Sequence, residues 1–182
     1  NSLGQPLSIH SQVDALEVFD GELIAAGNFQ RIGGADALRI ARWNGETWRS
    51  FGSGFNKRVN ALANYNGELI AGGNFTMAGE VAVNRIARWD GEAWQPLGLG
   101  LNGNVFNDEL IASGGFTTAG GVAARYIARW NGTEWQPLGG SGNNAYGGPM
   151  AVLNGNLLAI GPGGSSGSYQ VSKWNGAEWT LM

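Results

Sequence analysis

The stretch that decides the fold is IARWNGETW, residues 40–48, which the chain repeats three more times. The copies are IARWDGEAW at 86–94, IARWNGTEW at 127–135 and the more diverged VSKWNGAEW at 171–179. All eight tryptophans of the 182-residue chain lie in these motifs, two in each copy and five residues apart. The first tryptophans of successive copies are separated by 46, 41 and 44 residues, so the chain is built from an internal repeat.

A second motif lies ahead of each tryptophan pair. Its copies are DGELIAAGNF at 20–29, NGELIAGGNF at 66–75, NDELIASGGF at 107–116 and NGNLLAIGPG at 154–163. Asp-Gly or Asn-Gly before an apolar run favours a tight hairpin turn, because these residues tolerate positive φ. The apolar run itself fits a strand that is buried on both faces.

The first repeat predicts four antiparallel strands. They cover residues 13–19, 22–29, 38–43 and 48–52, with a glycine-rich loop at 30–37. Trp43 and Trp48 should lie near each other across the last hairpin, where aromatic pairs stabilise a sheet. A four-stranded meander that recurs every 41–46 residues is typical of a propeller blade. We therefore predict an all-β chain, a four-bladed β-propeller of four-stranded antiparallel blades.

We predict a single domain spanning residues 1–182. The repeats cover about 13–58, 59–104, 105–149 and 150–182, after a segment at 1–12 that closes the ring or is exchanged. The third repeat is short, so its first strand should be truncated or merged with the end of the second repeat. In the fourth repeat Gly161–Ser168 replaces the GNFT text and predicts a loop, which is either a ligand loop or decay of the repeat.

The repeat text resembles a known class of proteins. GELIAGGNFT at 67–76 and NRIARWDG at 84–91 are similar to a kelch-like class of bacterial secreted β-propeller repeats of the IARWNG-x-x-W type. The resemblance runs from about Val13 to Trp179. It implies the blade fold and an extracellular or cell-surface location, and it says little about function.

The composition limits the partners. The chain has a net charge of −3 and only 14% charged residues, which argues against binding nucleic acid. It has 32 glycines without a Gly-X-Y period, which excludes collagen, and no cysteine for a disulfide or a thiolate metal site. No apolar run is long enough for a membrane helix, so no membrane span is expected. The start at Asn1 leads us to expect a processed, exported protein or an excised domain.

Catalytic groups are sparse. The single histidine, His10, has no cysteine or second histidine with which to form a triad or a histidine-rich metal site. The acidic residues Asp20, Glu22, Glu68, Asp108 and Glu109 follow predicted hairpin turns and are interpreted as solvated turn positions. We predict that the chain is not an enzyme and needs no cofactor. Calcium is the one ion left open, held by Asp90, Asp108 and Glu109 with turn carbonyls.

Two sets of repeated side chains are candidate site residues. A cation precedes the first tryptophan of every copy: Arg42, Arg88, Arg129 and Lys173. The tryptophans are Trp43, Trp48, Trp89, Trp94, Trp130, Trp135, Trp174 and Trp179. One interpretation is structural, with cations stacked on rings or paired with acidic turns and tryptophans packed between blades. The other is a repeated glycan-binding surface, because tryptophan faces stack on sugar rings.

The two ends of the chain predict the function. The last repeat stops at Trp179, Thr180, Leu181 and Met182, without the Pro-Leu-Gly continuation of its predecessors. The segment Leu3, Gly4, Gln5, Pro6, Leu7, Ser8 and Ile9 resembles that missing tail. It either completes the fourth blade of its own chain or pairs with a further copy. We predict a non-enzymatic, extracellular structural or adhesive propeller that binds copies of itself; the alternative is a lectin-like propeller.

Overall fold

The computed structural model describes residues 11–100, 104–106, 110–138, 150–162 and 168–182. The chain forms two compact units, residues 1–100 and 101–182. The regular secondary structure of the described residues consists of strands alone, and every strand pairing is antiparallel. The all-β prediction is confirmed. No helix in the described part of the chain has the length and apolarity needed to cross a membrane.

The first unit contains two four-stranded sheets. Its strands are β1 (Gln12–Phe19), β2 (Glu22–Asn28), β3 (Arg31–Ile32), β4 (Ala35–Asp36), β5 (Ile40–Trp43), β6 (Trp48–Ser50), β7 (Val59–Tyr65), β8 (Glu68–Gly73), β9 (Met77–Ala78), β10 (Val81–Ala82), β11 (Ile86–Trp89) and β12 (Trp94–Pro96). The first sheet has the order β1-β2-β5-β6, and the second sheet has the order β7-β8-β11-β12. Two small hairpins, β3–β4 and β9–β10, connect the middle strands of these sheets.

The second unit repeats this plan. Its strands are β13 (Asn104–Phe106), β14 (Ile111–Ser113), β15 (Thr118–Ala119), β16 (Val122–Ala123), β17 (Ile127–Trp130), β18 (Trp135–Pro137), β19 (Met150–Leu153), β20 (Asn156–Pro162), β21 (Tyr169–Trp174) and β22 (Trp179–Leu181). The third sheet has the order β13-β14-β17-β18, and the fourth has the order β19-β20-β21-β22. The hairpin β15–β16 occupies the same place in the third repeat as β3–β4 does in the first.

Three details differ from the sequence prediction or sharpen it. The predicted loop at 30–37 is a small hairpin, turned by Gly33 and Gly34 at φ values of 56° and 89°. In the third repeat the described part of the first strand is β13, and residues 101–103 and 107–109 lie outside the described part. In the fourth repeat β20 continues to Pro162, which pairs with Tyr169, so the loop expected from Gly161 onward begins later; residues 163–167 lie outside the described part.

The Asp-Gly and Asn-Gly pairs make two kinds of turn. Before the apolar strands both turn residues have positive φ, as at Asp20-Gly21 with 50° and 74°, which is the primed turn that the sequence predicted. Between the tryptophans the first residue instead accepts hydrogen bonds through its side chain. Asn44 Oδ1 accepts from the backbone nitrogens of Glu46 at 3.0 Å and Thr47 at 2.9 Å. Asp90, Asn131 and Asn175 make the same pair of bonds.

Asp90 is the one titratable member of this set and makes the tryptophan hairpin sensitive to acid. Backbone hydrogen bonds from Ala93 and Glu92, with a side-chain bond from Gln95, hold the pKa of Asp90 below its ordinary value. Because the folded-state pKa is lowered, the stabilisation is present above the ordinary aspartate pKa and is lost as the pH falls through the folded value. We expect Asp90→Asn to keep the turn bonds and to weaken the dependence of the thermal midpoint on pH below about 4.

The converse substitution Asn131→Asp is the matched control, because it should add the same acid sensitivity to the third sheet. Thermal midpoints measured from pH 6 to pH 2 would compare both variants with the parent chain. Identical pH profiles for all three chains would contradict the assignment of this turn bond to a charged carboxylate.

The register gives each four-stranded sheet two different faces. Residues directly opposite each other in antiparallel strands share a face, and the face alternates along a strand. Trp43 lies opposite Trp48 and Leu23, whereas Arg42 lies opposite Ile24. Each sheet therefore has a tryptophan face, which carries the tryptophan pair, and a cation face, which carries the preceding Arg or Lys.

Candidate interaction faces

The four tryptophan pairs are built alike. In each sheet the two tryptophans are opposite residues of the last two strands, with ring centroids 5.4 or 5.5 Å apart. The second tryptophan of the first three pairs is buried, and so is Trp130; Trp43, Trp89, Trp174 and Trp179 are half-buried. Such geometry stabilises the hairpin and leaves an edge of several rings accessible.

Within the first unit, the cation face of the first sheet packs against the tryptophan face of the second sheet. The first sheet contributes Phe19, Ile24, Ala26 and Ile40, and the second contributes Leu69, Ala71, Ala87 and Trp94. Phe51, which follows β6, lies with its ring 4.7 Å from Trp89 and 5.7 Å from Trp94. The tryptophans of the second sheet thus pack between sheets rather than standing in solvent.

A bidentate ion pair supports the same junction. In β1 the register shifts at Asp14, whose carboxylate accepts from Arg58 Nε at 2.8 Å and from Arg58 Nη2. The hydrogen bond and the charge of Asp14 raise the pKa of Arg58. The guanidinium fork and the planar carboxylate fix the angle between their two chain segments.

The repeated cations have structural partners in the first unit. The Arg42 guanidinium lies 5.4 Å from the centre of the Phe51 ring, and its Nη1 is 3.6 Å from Glu22. Arg88 Nη1 pairs with Glu68 at 2.5 Å. In the third sheet Arg129 donates to Gln136 at 3.3 Å. In the fourth sheet Asn156 stands where the first two repeats have glutamate, and Lys173 forms no salt bridge with the described residues.

The second unit contains a junction of the same polarity. Ile111 and Ile127, on the cation face of the third sheet, and Leu138, after β18, form a buried cluster. Packed against it are residues on the tryptophan face of the fourth sheet: Met150, Leu157, Trp174 and Trp179. The indole nitrogen of Trp179 donates to the Leu138 carbonyl oxygen at 2.5 Å. Both units therefore join a cation face to a tryptophan face.

Two sheet faces that take part in neither of these junctions expose large apolar side chains. On the tryptophan face of the first sheet, called here the head face, Leu16 and Val18 are 61% and 63% exposed. Leu23 and Trp43 share the head face and are half-buried, whereas Ala25, Ala41 and Trp48 on the same face are buried. In the second sheet the residue equivalent to Leu23 is Leu69, which is fully buried.

The second exposed face is the cation face of the fourth sheet, called here the tail face. Leu153, Ile160, Val171 and Tyr169 share this face with Lys173 and are all exposed. Apolar side chains exposed on one sheet face are unusual for a surface that remains in water. Val152 and Leu181 of the fourth sheet are exposed as well, on its tryptophan face.

A recess lies beside each of the two junctions. In the first unit it measures about 400 Å³ and is lined by Phe19, Glu22, Arg42, Phe51 and Trp89, with further acidic residues at its rim. In the second unit it measures about 630 Å³ and is lined by Arg129, Leu138, Asn156, Trp174 and Asn175 among others. Three lining positions are equivalent in the two recesses: Arg42, Phe51 and Trp89 in the first correspond to Arg129, Leu138 and Trp174 in the second.

The acidic turn residues are not gathered into a site. Among the described residues, no group of three His, Asp or Glu side chains comes together as a metal ligand set. The Asp90 carboxylate accepts bonds from its own turn and from Gln95 at 2.9 Å. Asp108 and Glu109, the other candidates for calcium, lie outside the described residues.

The terminal candidates are described only in part. Leu3–Ile9 and His10 lie outside the described residues. Trp179, Thr180 and Leu181 form β22, the outer strand of the fourth sheet, which pairs with β21. The Met182 backbone nitrogen donates to the Val171 oxygen at 3.0 Å.

A comparison with protein families finds one match, in the first repeat. A family model described as a domain of unknown function (DUF5122) beta-propeller matches residues 20–45, from the Asp20-Gly21 turn to the first tryptophan turn. A search of curated proteins finds no significant match. The match and the four-stranded antiparallel sheets confirm the predicted fold class, an all-β β-propeller, and support a β-propeller repeat family for this chain.

Proposed function

We propose that the chain is a non-enzymatic structural domain that associates with further copies of itself. The observation that carries the proposal is the head face, where Leu16 is 61% exposed and Leu23 is half-buried, although their equivalents Leu62 and Leu69 pack against another sheet. Burial of each such side chain contributes roughly 1.5–3 kcal/mol. A second copy would bury several of them at once.

The proposal is tested by a substitution on the head face. We expect the parent chain to show a molar mass that rises with concentration in analytical ultracentrifugation. Leu16→Glu should hold the chain at the monomer mass, because a carboxylate desolvated in an apolar interface is costly. Circular dichroism would show that this variant remains folded.

Val122→Glu is the matched control. Val122 is also an exposed valine, but it lies on the small hairpin β15–β16 rather than on a sheet face, so its variant should associate like the parent chain. A parent chain that stays monomeric across the whole concentration range would contradict the proposed function. Association unchanged by Leu16→Glu would exclude the head face as the associating surface.

The terminal segment offers a second route to the same association. We propose strand pairing of Leu3–Ile9 with β22 of a further copy, since β22 is the outer strand of its sheet and its residue Leu181 is exposed. Deletion of residues 1–10 leaves β1 intact and should abolish association if strand pairing carries it. Association that survives the deletion would assign it to the sheet faces alone.

The extracellular location and the absence of catalysis belong to the same proposal. Glu22 and Glu68, which a hydrolase could use, are engaged with Arg42, Arg49 and Arg88. The location is supported by the resemblance of the repeat to secreted proteins, and fractionation of the source cells would test it.

Carbohydrate binding is the second candidate function, and the recesses favour it. The larger recess, of about 630 Å³, lies within the size range of small-molecule sites and combines the edge of Trp174 with the amides of Asn156 and Asn175. Indole and amide groups are the pair that holds a sugar ring and its hydroxyls. A glycan array should show binding that Trp174→Ala removes; an array without any bound glycan would exclude this function.

A further inference from the structure

We infer that copies of this chain associate head to tail, with the tail face of one copy bound to the head face of the next. The inference rests on the proposed self-association and names the surface that the head face binds. Two features support it: each described junction joins a cation face to a tryptophan face, and the exposed faces carry apolar residues at the positions that form these junctions.

Both described junctions have one polarity. In the first unit the cation face of the first sheet covers the tryptophan face of the second sheet, and in the second unit the third and fourth sheets meet in the same way. The partner that fits an exposed tryptophan face is therefore the cation face of another sheet. The tail face is an exposed cation face on the fourth sheet.

The tail face has apolar residues at the positions that make such a junction. Leu158 lies opposite Lys173, as Ile24 lies opposite Arg42 in the first sheet. From this alignment Ile160 stands at the position of Ala26, and Val171 at the position of Ile40. Ile24, Ala26 and Ile40 are fully buried against the second sheet, whereas Ile160 and Val171 are each 39% exposed.

The head face completes the match from the other side. Leu16 occupies the position of Leu62 and Leu23 that of Leu69, two residues that pack on the first sheet inside the first unit. Both faces are thus exposed in the single chain, and each carries the residues of one side of a junction. A head-to-tail contact of this kind is heterologous, so it builds a ring where the rotation closes and a filament where it does not.

A complementation experiment tests the polarity. Leu16→Glu damages only the head face and Val171→Glu only the tail face. Each variant alone should stay monomeric, but an equimolar mixture should form a 1:1 complex, because the intact tail of the first variant binds the intact head of the second. That complex has one damaged head and one damaged tail at its ends, so it cannot grow beyond two chains.

Sedimentation and mass photometry of the single variants and the mixture would distinguish the outcomes. A Val171→Glu chain that still self-associates, or a mixture that stays monomeric while the parent chain associates, would overturn the head-to-tail inference and leave self-association standing. A monomeric parent chain would overturn the proposed function itself. Ile160→Glu is the second tail-face variant and should behave as Val171→Glu does.

Discussion

Replacing Trp94 with alanine should lower the free energy of unfolding of the chain by about 3–5 kcal/mol, the range for a deleted core aromatic. Trp94 is 2% exposed, and its ring centroid lies 4.8 Å from Phe55, 5.4 Å from Trp89 and 5.7 Å from Phe51. It therefore joins the second sheet to the segment that follows the first. Urea unfolding followed by far-ultraviolet circular dichroism measures the loss.

The variant Trp94→Phe keeps an aromatic ring at this position and removes the indole N–H group. The indole nitrogen of Trp94 is buried and has no hydrogen-bond partner among the described residues, which costs stability in the parent chain. We therefore expect Trp94→Phe to cost much less than Trp94→Ala. Trp43→Ala should also cost less, because Trp43 is half-buried on the head face. Equal losses at Trp94 and Trp43 would contradict the role of Trp94 as the centre of the junction.

The repeat made most of the fold predictable. The tryptophan pairs predict the last hairpin of each sheet, and in the structure Trp43 lies opposite Trp48, as each later pair does. The primed turn at Asp20-Gly21 followed from the φ that these residues tolerate. These features depend on neighbouring residues, so a single copy of the motif contains the information for them.

Other features depend on contacts that a local pattern does not show. Arg39, Arg85 and Tyr126 adopt positive φ at one repeated position just ahead of the IARW text, although none is glycine or asparagine. The backbone nitrogen of Arg85 donates to Phe75 O at 3.0 Å, and its oxygen accepts from Gly73 at 2.9 Å. These bonds hold a conformation that the side chain alone disfavours.

The candidate faces were predictable only in part. The apolar residues Leu16 and Val18 of the predicted first strand were visible as a pattern, but similar patterns recur in sheets whose faces are covered. The two sheets differ in the exposure of these side chains: Leu23 of the first sheet is half-buried, whereas its equivalent in the second sheet, Leu69, is fully buried. The chain ends alone pointed to association through terminal strands. The sheet faces can be identified only from the register, which assigns each residue to one side of its sheet.

Gly73→Ala should be the most damaging small substitution in the second sheet. A Cβ added at Gly73 would lie 2.3 Å from the Arg58 carbonyl oxygen and 2.9 Å from Val59 Cα. Both are backbone atoms of β7 or of the residue before it, so neither can rotate away as a side chain would. The pairing of Val59 with Gly73 must then open next to the register shift of β7. We expect a loss of about 1–3 kcal/mol or more.

The shift would also strain the Asp14–Arg58 ion pair, because Arg58 is the residue that the new methyl group displaces. Hydrogen exchange at β7 and urea unfolding would measure both effects. Gly115→Ala is the matched control: no atom lies within 4 Å of its added Cβ and its backbone is outside the left-handed region, so the change should be neutral or slightly stabilising. Equal stability of the two variants would show that β7 and β8 do not approach as closely at Gly73 as the register requires.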